Sequence, residues 1–354
     1  MKKTAVVITF GRLHTLDGKT AHGLLRGSER FQILAVLDGI HAGRAVDDIV
    51  PGASKEIPIY ADIEVCLRHL PRKPDYCIMG VALPGGRFPN EFIGEIQGIL
   101  EKGISVISGL HEHLIDQAVL RETAARYQVD LIDIRKPRPA SELHFWSGAI
   151  MAVTTPRIAV LGMDCTVGKR TTCRFIQQAC RSHGIKAEMI YTGHTGWLQG
   201  YRYGFFLDAT PNDFVSGEIE NAIVTCDRES RPDLILIEGQ SSLMNPSGPC
   251  GSEILLSGNV KGVILQHVPF RGCFDELESL GMRLPAIEDE IALIRTYGAQ
   301  TLGVTLNGSG GTLEELKNYR DELAGRLSLP VILPLQEGVQ ALLPVIRSHM
   351  KKGD

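Results

Sequence analysis

The chain has 354 residues, 44% of them hydrophobic and 22% charged, with a formal net charge of −4 at pH 7. This composition is typical of a folded globular protein and excludes disorder as its main state. The small negative charge argues against a nucleic acid or an anionic membrane as partner, so a small-molecule substrate is expected. No run reaches the ~18 apolar residues of a membrane span. The length predicts two domains.

The eight cysteines show neither a C-x-x-C pair nor the spacing of a zinc site. They predict reduced, mostly buried thiols in a cytoplasmic protein. The apolar run Ala5–Phe10 is too short for a secretory signal and is broken by Gly11 and Arg12. It therefore predicts a first buried strand.

Short β-rich runs alternate with helical stretches over residues 1–140, which predicts a parallel, doubly wound sheet. The predicted strands are Val6–Thr9, Gln32–Leu37, Tyr76–Val81, Ser105–Ser108 and Val129–Ile134, and the predicted helices are Thr20–Arg26, Glu91–Lys102 and Ile115–Tyr127. Two prolines at 137 and 139 interrupt the pattern, and no periodicity returns before Thr154. Residues 141–155 are therefore expected to form a linker.

The alternation restarts over residues 156–354, which predicts a second parallel α/β domain. Its predicted strands are Arg157–Leu161, Lys186–Tyr191, Leu234–Ile237, Val260–Gln266, Gly303–Leu306 and Pro330–Leu333, and its predicted helices are Lys169–Cys180, Asp213–Cys226 and Leu313–Leu327.

A phosphate-binding loop is predicted at the start of this second domain. The strand Arg157–Leu161 leads into a segment that runs from Gly162 to Gly168, and Lys169 then begins a helix. In this geometry backbone N–H groups and the helix N-terminus face an anion, and the lysine adds a positive charge.

The loop departs from the common phosphate-loop pattern in two ways. Five residues rather than four separate its glycines, as in the variant G-x-D-x-x-x-G-K, whose aspartate is Asp164. This variant resembles the loop of dethiobiotin synthetase and its relatives. Arg170 stands where Mg²⁺-binding loops have Ser or Thr. Thr171 or Thr172 must then hold a metal ion, or no metal binds there.

Polar residues follow three other predicted strands. Glu238 ends Leu234–Ile237 at the sheet edge where ligands bind, and it suits Mg²⁺ or a catalytic role better than a contact with a neighbouring loop. Asn307 resembles an adenine-binding asparagine, but it fits a turn before Gly308 equally well. His267 and Arg271 suit a carboxylate or phosphate ligand, with a surface ion pair as the alternative.

Two further residues have competing interpretations. His194 lies in a predicted tight turn and could be a general base or could bond a turn carbonyl. Asp213 opens a predicted helix, so helix capping is the first interpretation and catalysis the second. In the first domain, the absence of G-x-G-x-x-G after Val6–Thr9 argues against an ordinary NAD site.

Taken together, these segments resemble one family. It is the two-domain P-loop family long classed as of unknown function, whose characterised members are D-glutamate N-acetyltransferases. The resemblance covers almost the whole chain and is carried by Gly18–Arg26, Asp164–Thr172, Thr192–Gly196, Asp213–Gly217, Ile237–Gln240 and His267–Arg271.

The resemblance implies a Rossmann-like first domain, a P-loop second domain, acetyl-CoA as donor and an acidic D-amino acid as acceptor. It implies base candidates at His194, Glu238 and His267, and acceptor-binding residues at Thr195, Arg202, Asp213, Gln240 and Arg271. The sequence departs from the family pattern at His194, where glutamine is expected, and at Ser241, where glycine is expected. These two departures leave the acceptor open.

The spacing alone favours a different enzyme, an ATP-dependent ligase or kinase with Mg²⁺ at Thr171 or Thr172 and Glu238. A nucleotide-binding regulatory protein is a third interpretation. Acetyl transfer from CoA requires no metal, whereas ATP chemistry almost always does. The sequence leaves open whether the chain forms a homo-oligomer.

Overall fold

The computed structural model describes residues 2–351 and divides the chain into two compact units. The first unit contains the residues up to Pro137 together with the short segment His194–Tyr201. The second contains Arg138–Gly193 and the residues from Arg202 onwards. No helix within residues 2–351 is both long and apolar enough to cross a membrane.

The first unit is a six-stranded parallel sheet with the strand order β3-β2-β1-β4-β5-β6. Its strands are β1 Lys3–Ile8, β2 Phe31–Leu37, β3 Ile59–Tyr60, β4 Tyr76–Met79, β5 Ser105–Ser108 and β6 Leu131–Asp133. Its helices are α1 Lys19–Leu25, α2 Ile63–His69, α3 Ile93–Glu101 and α4 Ala118–Tyr127. The strand order is that of a Rossmann fold.

Central strand β1 is buried on both of its faces. Residues Ala5, Val6, Val7 and Ile8 are all buried. Both faces of a parallel strand are covered, so such strands are continuous apolar runs rather than alternating ones. The pairing of β1 with β2 and β4 is parallel throughout.

The second unit is a seven-stranded parallel sheet with the order β13-β12-β11-β7-β10-β8-β9. Its strands are β7 Arg157–Gly162, β8 Ala187–Tyr191, β9 Tyr203–Gly204, β10 Leu234–Glu238, β11 Gly262–His267, β12 Gln300–Leu306 and β13 Val331–Ile332. Strand β7 lies at the centre between β10 and β11. The loop after β7 therefore lies beside the residues that follow β10 and β11.

Within the described residues, eight helices follow α4 in chain order. They are α5 Lys169–Ser182, α6 His194–Gln199, α7 Asn212–Ser230, α8 Ser252–Ser257, α9 Ile287–Thr296, α10 Leu313–Leu327, α11 Pro334–Glu337 and α12 Leu343–Lys351. Helix α10 begins with a capping box in which Thr312 and Glu315 bond each other's backbone N–H groups. Helix α6 belongs to the first unit, and the others named here belong to the second.

The residues that the sequence assigns to a linker belong to the second unit. Two buried glutamates of α7 hold them in place. Glu218 accepts hydrogen bonds from Arg138 and from the backbone N–H of His144, the latter at 2.9 Å. Glu220 accepts from the backbone N–H of Ser147 at 2.6 Å, and these backbone contacts satisfy groups that lack secondary-structure partners.

Candidate functional site

The loop between β7 and α5 has the geometry of a phosphate cradle. Gly168 has a φ of 109° and directly precedes α5. A Cβ at Gly162 would lie 2.8 Å from Cγ2 of Val167 and 3.0 Å from the Lys169 side chain, so the loop needs glycine there. The backbone N–H groups of the first turn of α5 have no intrahelical partners, and these groups bind anions in such loops.

Lys169 is buried and directed along the loop. Its ammonium donates to the carbonyl oxygens of Asp164 at 2.6 Å and Ser241 at 2.8 Å. Burial lowers the pKa of Lys169, and the nearby Cys165, Asp164, Cys250 and Glu238 oppose this shift. A buried ammonium that donates to neutral carbonyl groups gains from a phosphate, so the lysine fits its predicted role.

Asp164, predicted to bind the ligand, is instead saturated by the protein. Its side chain is 0% exposed. Oδ1 accepts from the N–H of Cys165 at 2.7 Å and from Asn245 Nδ2 at 3.0 Å. Oδ2 accepts from Arg271 Nη1 at 2.8 Å and from the N–H of Asp275 at 2.7 Å. With four donors the carboxylate fixes the shape of the loop rather than contacting a ligand.

Arg271, predicted to bind the acceptor, is likewise part of the loop's support. Besides Asp164 it contacts the carbonyl of Cys165 at 3.0 Å and Oγ1 of Thr166 at 3.3 Å. Thr166 has a φ of 56°, which is unusual for a threonine. Its hydroxyl donates to Asp275 Oδ2 at 2.6 Å. The guanidinium therefore holds the loop in this conformation.

Of the two threonines considered for a metal ion, Thr172 serves a different purpose. Its hydroxyl donates to Gln266 Oε1 at 2.5 Å, and Thr305 donates to the same oxygen at 2.7 Å. Thr172 thus joins α5 to β11 and β12 deep in the unit. Thr171 is half-buried in the first turn of α5, next to Arg170.

Asn307, the candidate adenine contact, supports the phosphate loop from the end of β12, which is separated from β7 by β11. Its amide nitrogen donates to the carbonyl of Val167 at 3.0 Å. Its oxygen accepts from the N–H and the hydroxyl of Ser309 at 3.0 and 2.7 Å. The Asn307 side chain therefore stabilises a turn, as the second interpretation predicts.

Glu238 lies at the carboxyl end of β10 and is 4% exposed. Its Oε2 accepts from the N–H of Thr192 at 3.3 Å, and the Thr192 hydroxyl donates to the Glu238 carbonyl at 2.9 Å. Burial raises the pKa of Glu238, and the positive charge of Arg170 is the largest effect opposing that rise. A guanidinium therefore lies near the carboxylate that holds Mg²⁺ in many P-loop proteins.

Gln240 lies at the same edge of the sheet. Its Nε2 donates to the Thr192 hydroxyl at 3.1 Å. A Cβ at Gly193 would lie 2.8 Å from that nitrogen. Gly193 therefore allows the ends of β8 and β10 to approach each other, and Glu238, Thr192 and Gln240 form one polar cluster.

His267 is buried at the end of β11. Its Nε2 and the hydroxyl of Tyr319 share a hydrogen bond of 3.0 Å, and its Nδ1 has no partner among the described residues. Burial lowers the pKa of His267 to about 4. The imidazole is neutral at pH 7 and is a weak base.

His194 and Thr195 belong to the first unit, whereas Glu238 and His267 belong to the second. The tight turn predicted around them is wrong, because His194 begins helix α6. His194 Nε2 lies 2.8 Å from the Thr20 hydroxyl and 3.4 Å from the Thr195 hydroxyl. A Cβ at Gly109 would lie 2.5 Å from the imidazole, so that glycine makes room for it.

The two remaining predicted substrate contacts lie on the surface of the second unit. Arg202 pairs with Glu229 at 2.6 Å and its side chain is 71% exposed. Asp213 is exposed in the first turn of α7, where a carboxylate stabilises the helix. The N-cap of α7 is Pro211 and no side chain caps the helix, so Asp213 acts through its charge and makes no capping hydrogen bond.

Several residues around the loop have no signal in the sequence. Asn245 and Asp275 reach Asp164 from the segments that follow β10 and β11. Glu290 of α9 is 0% exposed and accepts from the N–H of Leu243 at 3.0 Å. Its position in an acidic first helical turn resembles ordinary dipole compensation, so the sequence does not distinguish it from Asp289.

These two sheets and the glycine-bounded loop after β7 define a protein with a Rossmann-like and a P-loop domain. Residues 40–137 match a family model described as a Rossmann-like domain of unknown function (DUF1611_N), and residues 144–343 match a P-loop domain of unknown function (DUF1611_C). The chain belongs to this DUF1611 family. The resemblance stated from the sequence motifs and the predicted fold are both confirmed.

Two curated relatives are named D-glutamate N-acetyltransferase. The one from Pseudoalteromonas sp is 28% identical over 273 residues, 75% of this chain and 79% of that protein. The one from Tritonibacter scottomollicae is 30% identical over 276 residues, 76% of this chain and 80% of that protein. A crystal structure of a DUF1611 family protein from Anabaena variabilis is similar at 25% identity, with a TM-score of 0.88, and the match covers 98% of this chain and 100% of that one.

Proposed function

We propose that this protein transfers the acetyl group of acetyl-CoA to the amino group of D-glutamate or a similar acidic amino acid. The observation that carries the proposal is the match to two D-glutamate N-acetyltransferases over three quarters of the chain. All eight cysteines have free thiols, which fits a cytoplasmic enzyme. Acetyl-CoA as donor fits the same location.

The phosphate loop fits the charged part of the donor. Coenzyme A carries a pyrophosphate and a 3′-phosphate, and the loop offers Lys169, the N-terminus of α5 and the side chain of Arg170. These groups are cationic or are N–H donors, which is the set that binds phosphate. The loop's own carboxylate at Asp164 is neutralised by Arg271 and does not repel the ligand.

The position of Arg170 favours chemistry without Mg²⁺. In metal-dependent P-loop enzymes a hydroxyl follows the lysine and helps a carboxylate at the next strand end to hold the metal. Here the residue after Lys169 is an arginine whose charge acts on Glu238. The guanidinium competes with a divalent cation for that carboxylate.

Glu238 is the best-placed general base of the second unit. When the acceptor amine attacks the thioester, the new C–N bond forms, the C–S bond breaks, the amine proton must be removed and the CoA thiolate takes a proton. Burial raises the pKa of Glu238 and so makes its carboxylate a stronger base than an exposed one. Gln240, within the same polar cluster, is the nearest candidate contact for the acceptor.

The other candidate residues have weaker support. His267 has a pKa of about 4 and is therefore a poor proton acceptor. Arg271 is occupied by Asp164, and Arg202 by Glu229. His194 and Thr195 remain candidates from the first unit. Glu238 is therefore the proposed general base that removes the proton of the acceptor amine.

A ligand panel in a thermal-shift experiment tests the proposal. Acetyl-CoA and CoA should raise the melting temperature equally with EDTA and with Mg²⁺, because a ligand at 100 times its Kd adds about 2.7 kcal/mol of stability. Stabilisation by ATP only when Mg²⁺ is present, with no response to CoA, would support the ligase or kinase alternative instead.

A further inference from the structure

Glu290 is a buried carboxyl group that has no role in the proposed chemistry. It lies in the first turn of α9 and is 0% exposed. Oε1 accepts from the N–H of Leu243 at 3.0 Å, and Oε2 has no partner among the described residues. An unpartnered buried carboxylate is costly, so the position needs an explanation.

The segment that follows β10 joins Glu290 to the phosphate loop. Leu243 is two residues from Ser241, whose carbonyl accepts from the ammonium of Lys169 at 2.8 Å. The hydroxyls of Ser241 and Ser242 are also buried, with no partner among the described residues. This short segment therefore contacts both a buried carboxyl group and the loop's lysine.

Burial has the largest effect on the pKa of Glu290, and the N–H of Leu243 and then the positive charge of Lys169 oppose it. Nearby Asp164 is paired with Arg271, and burial raises the pKa of Cys250, which keeps its thiol neutral beside Glu253. On α9 itself Glu288 and Asp289 are exposed, and strand β12, against which α9 packs, carries no ionisable side chain.

We propose that Glu290 is the proton-binding group of the phosphate loop. In mildly alkaline solution it is negatively charged while the loop is empty, and it takes up a proton from solvent when a phosphate group binds. The inference rests on the proposed function, because it assumes that the loop binds the phosphates of a CoA ester.

The physical reason is competition for one ammonium. A phosphate group at the loop brings negative charge close to Lys169 and reduces the lysine's stabilisation of Glu290. The pKa of Glu290 is already raised to about 7 by burial. A further rise on ligand binding converts the carboxylate to the neutral acid near physiological pH.

Calorimetric titration with coenzyme A at pH 8, in two buffers of different ionisation enthalpy, tests the proposal. Phosphate monoesters are already ionised at this pH, since their second pKa is about 6. We expect wild-type protein to take up a fraction of a proton, at most one per site, and its Kd to rise by up to about tenfold per pH unit above pH 7. Glu290→Gln should bind without proton uptake and without this pH dependence.

Asp289→Asn, an exposed neighbour in the same helical turn, is the matched control and should behave as wild type. Persistence of proton uptake in Glu290→Gln would overturn the proposal and leave Lys169 or the buried carboxylate of Glu238 as the proton acceptor. If Glu290→Gln does not fold, the absence of proton uptake by wild-type protein at pH 8 is sufficient to reject the inference. Failure of CoA to bind wild-type protein would instead reject the proposed function and the inference with it.

Discussion

The guanidinium of Arg271 donates to the carboxylate of Asp164 across 2.8 Å, with both side chains largely buried. This pair joins the turn after β11 to the interior of the phosphate loop. The aspartate that distinguishes this loop variant is therefore structural, and it requires a cation from another strand end. Loop shape depends on a residue more than 100 positions away.

Arg271→Ala should lower the free energy of unfolding by about 3–5 kcal/mol, because it leaves a buried carboxylate without its charge partner. Urea unfolding followed by circular dichroism measures the change. Arg202→Ala, which breaks an exposed pair with Glu229, is the control and should cost no more than about 1 kcal/mol. An equal decrease in the free energy of unfolding of the two variants would show that the buried Arg271–Asp164 pair stabilises the protein no more than an exposed pair.

Lys169→Ala should weaken the binding of coenzyme A by about 2–5 kcal/mol, the cost of removing one partner of a desolvated charge pair. Calorimetry at constant salt measures the affinity. Lys317→Ala, an exposed lysine on α10, is the matched control and should bind as wild type. Unchanged affinity in Lys169→Ala would mean that the loop does not hold the phosphates.

Glu290 should make the protein less stable as the pH rises. Its pKa is raised from 4.5 to about 7 in the folded state, so the unfolded chain loses its proton first between these values and stability falls across that window. The free energy of unfolding of Glu290→Gln should equal that of wild type at pH 4 and exceed it by up to about 3 kcal/mol at pH 8. Urea unfolding at several pH values measures this difference, and a variant that is less stable at pH 8 would contradict it.

His267 should make the protein less stable as the pH falls. Burial lowers its pKa from 6.5 to about 4, so the unfolded chain binds a proton first as the pH falls, and stability decreases between pH 6.5 and 4. As the pH falls through this range, the free energy of unfolding should decrease less in His267→Gln than in wild type, by up to about 3 kcal/mol. Tyr319→Phe breaks the same hydrogen bond but keeps the imidazole, so it should retain the acid sensitivity of wild type.

The sequence predicts the strands well because parallel strands are continuous apolar runs. Ser105–Ser108 and helix Leu313–Leu327 have the predicted bounds. Strand β3 and helix α2 are missing from the prediction, because two residues of strand and seven of helix are too short to show periodicity. Helix α6 is missed because Gly193 and Gly196, on either side of His194 and Thr195, indicate a turn, whereas Gly196 lies within the helix.

The sequence predicts the candidate site only where the residues that form it are close together along the chain. Lys169, Gly162 and Gly168 are neighbours along the sequence, so their geometry follows from the local pattern. The partner of a charged side chain depends on which strands are adjacent in the sheet. For this reason the sequence predicts Arg271 as a ligand contact and leaves Asn307 open between an adenine contact and a turn, whereas in the structure both side chains brace the loop.

Acetyl transfer without a metal ion is tested by the release of CoA thiol from acetyl-CoA. With D-glutamate as acceptor, thiol should be released at the same rate with EDTA and with Mg²⁺. L-glutamate and D-aspartate belong in the same assay, because His194 and Ser241 depart from the family pattern and leave the acceptor open.

Glu238→Gln keeps the size of the side chain and removes the proposed base, so it should reduce kcat by about 10²–10⁴-fold. Wild-type protein should release thiol without a metal ion, and Glu238→Gln should lose that release. If no acidic amino acid yields thiol above background while ATP is hydrolysed only in the presence of Mg²⁺, the protein is not a metal-independent acetyltransferase.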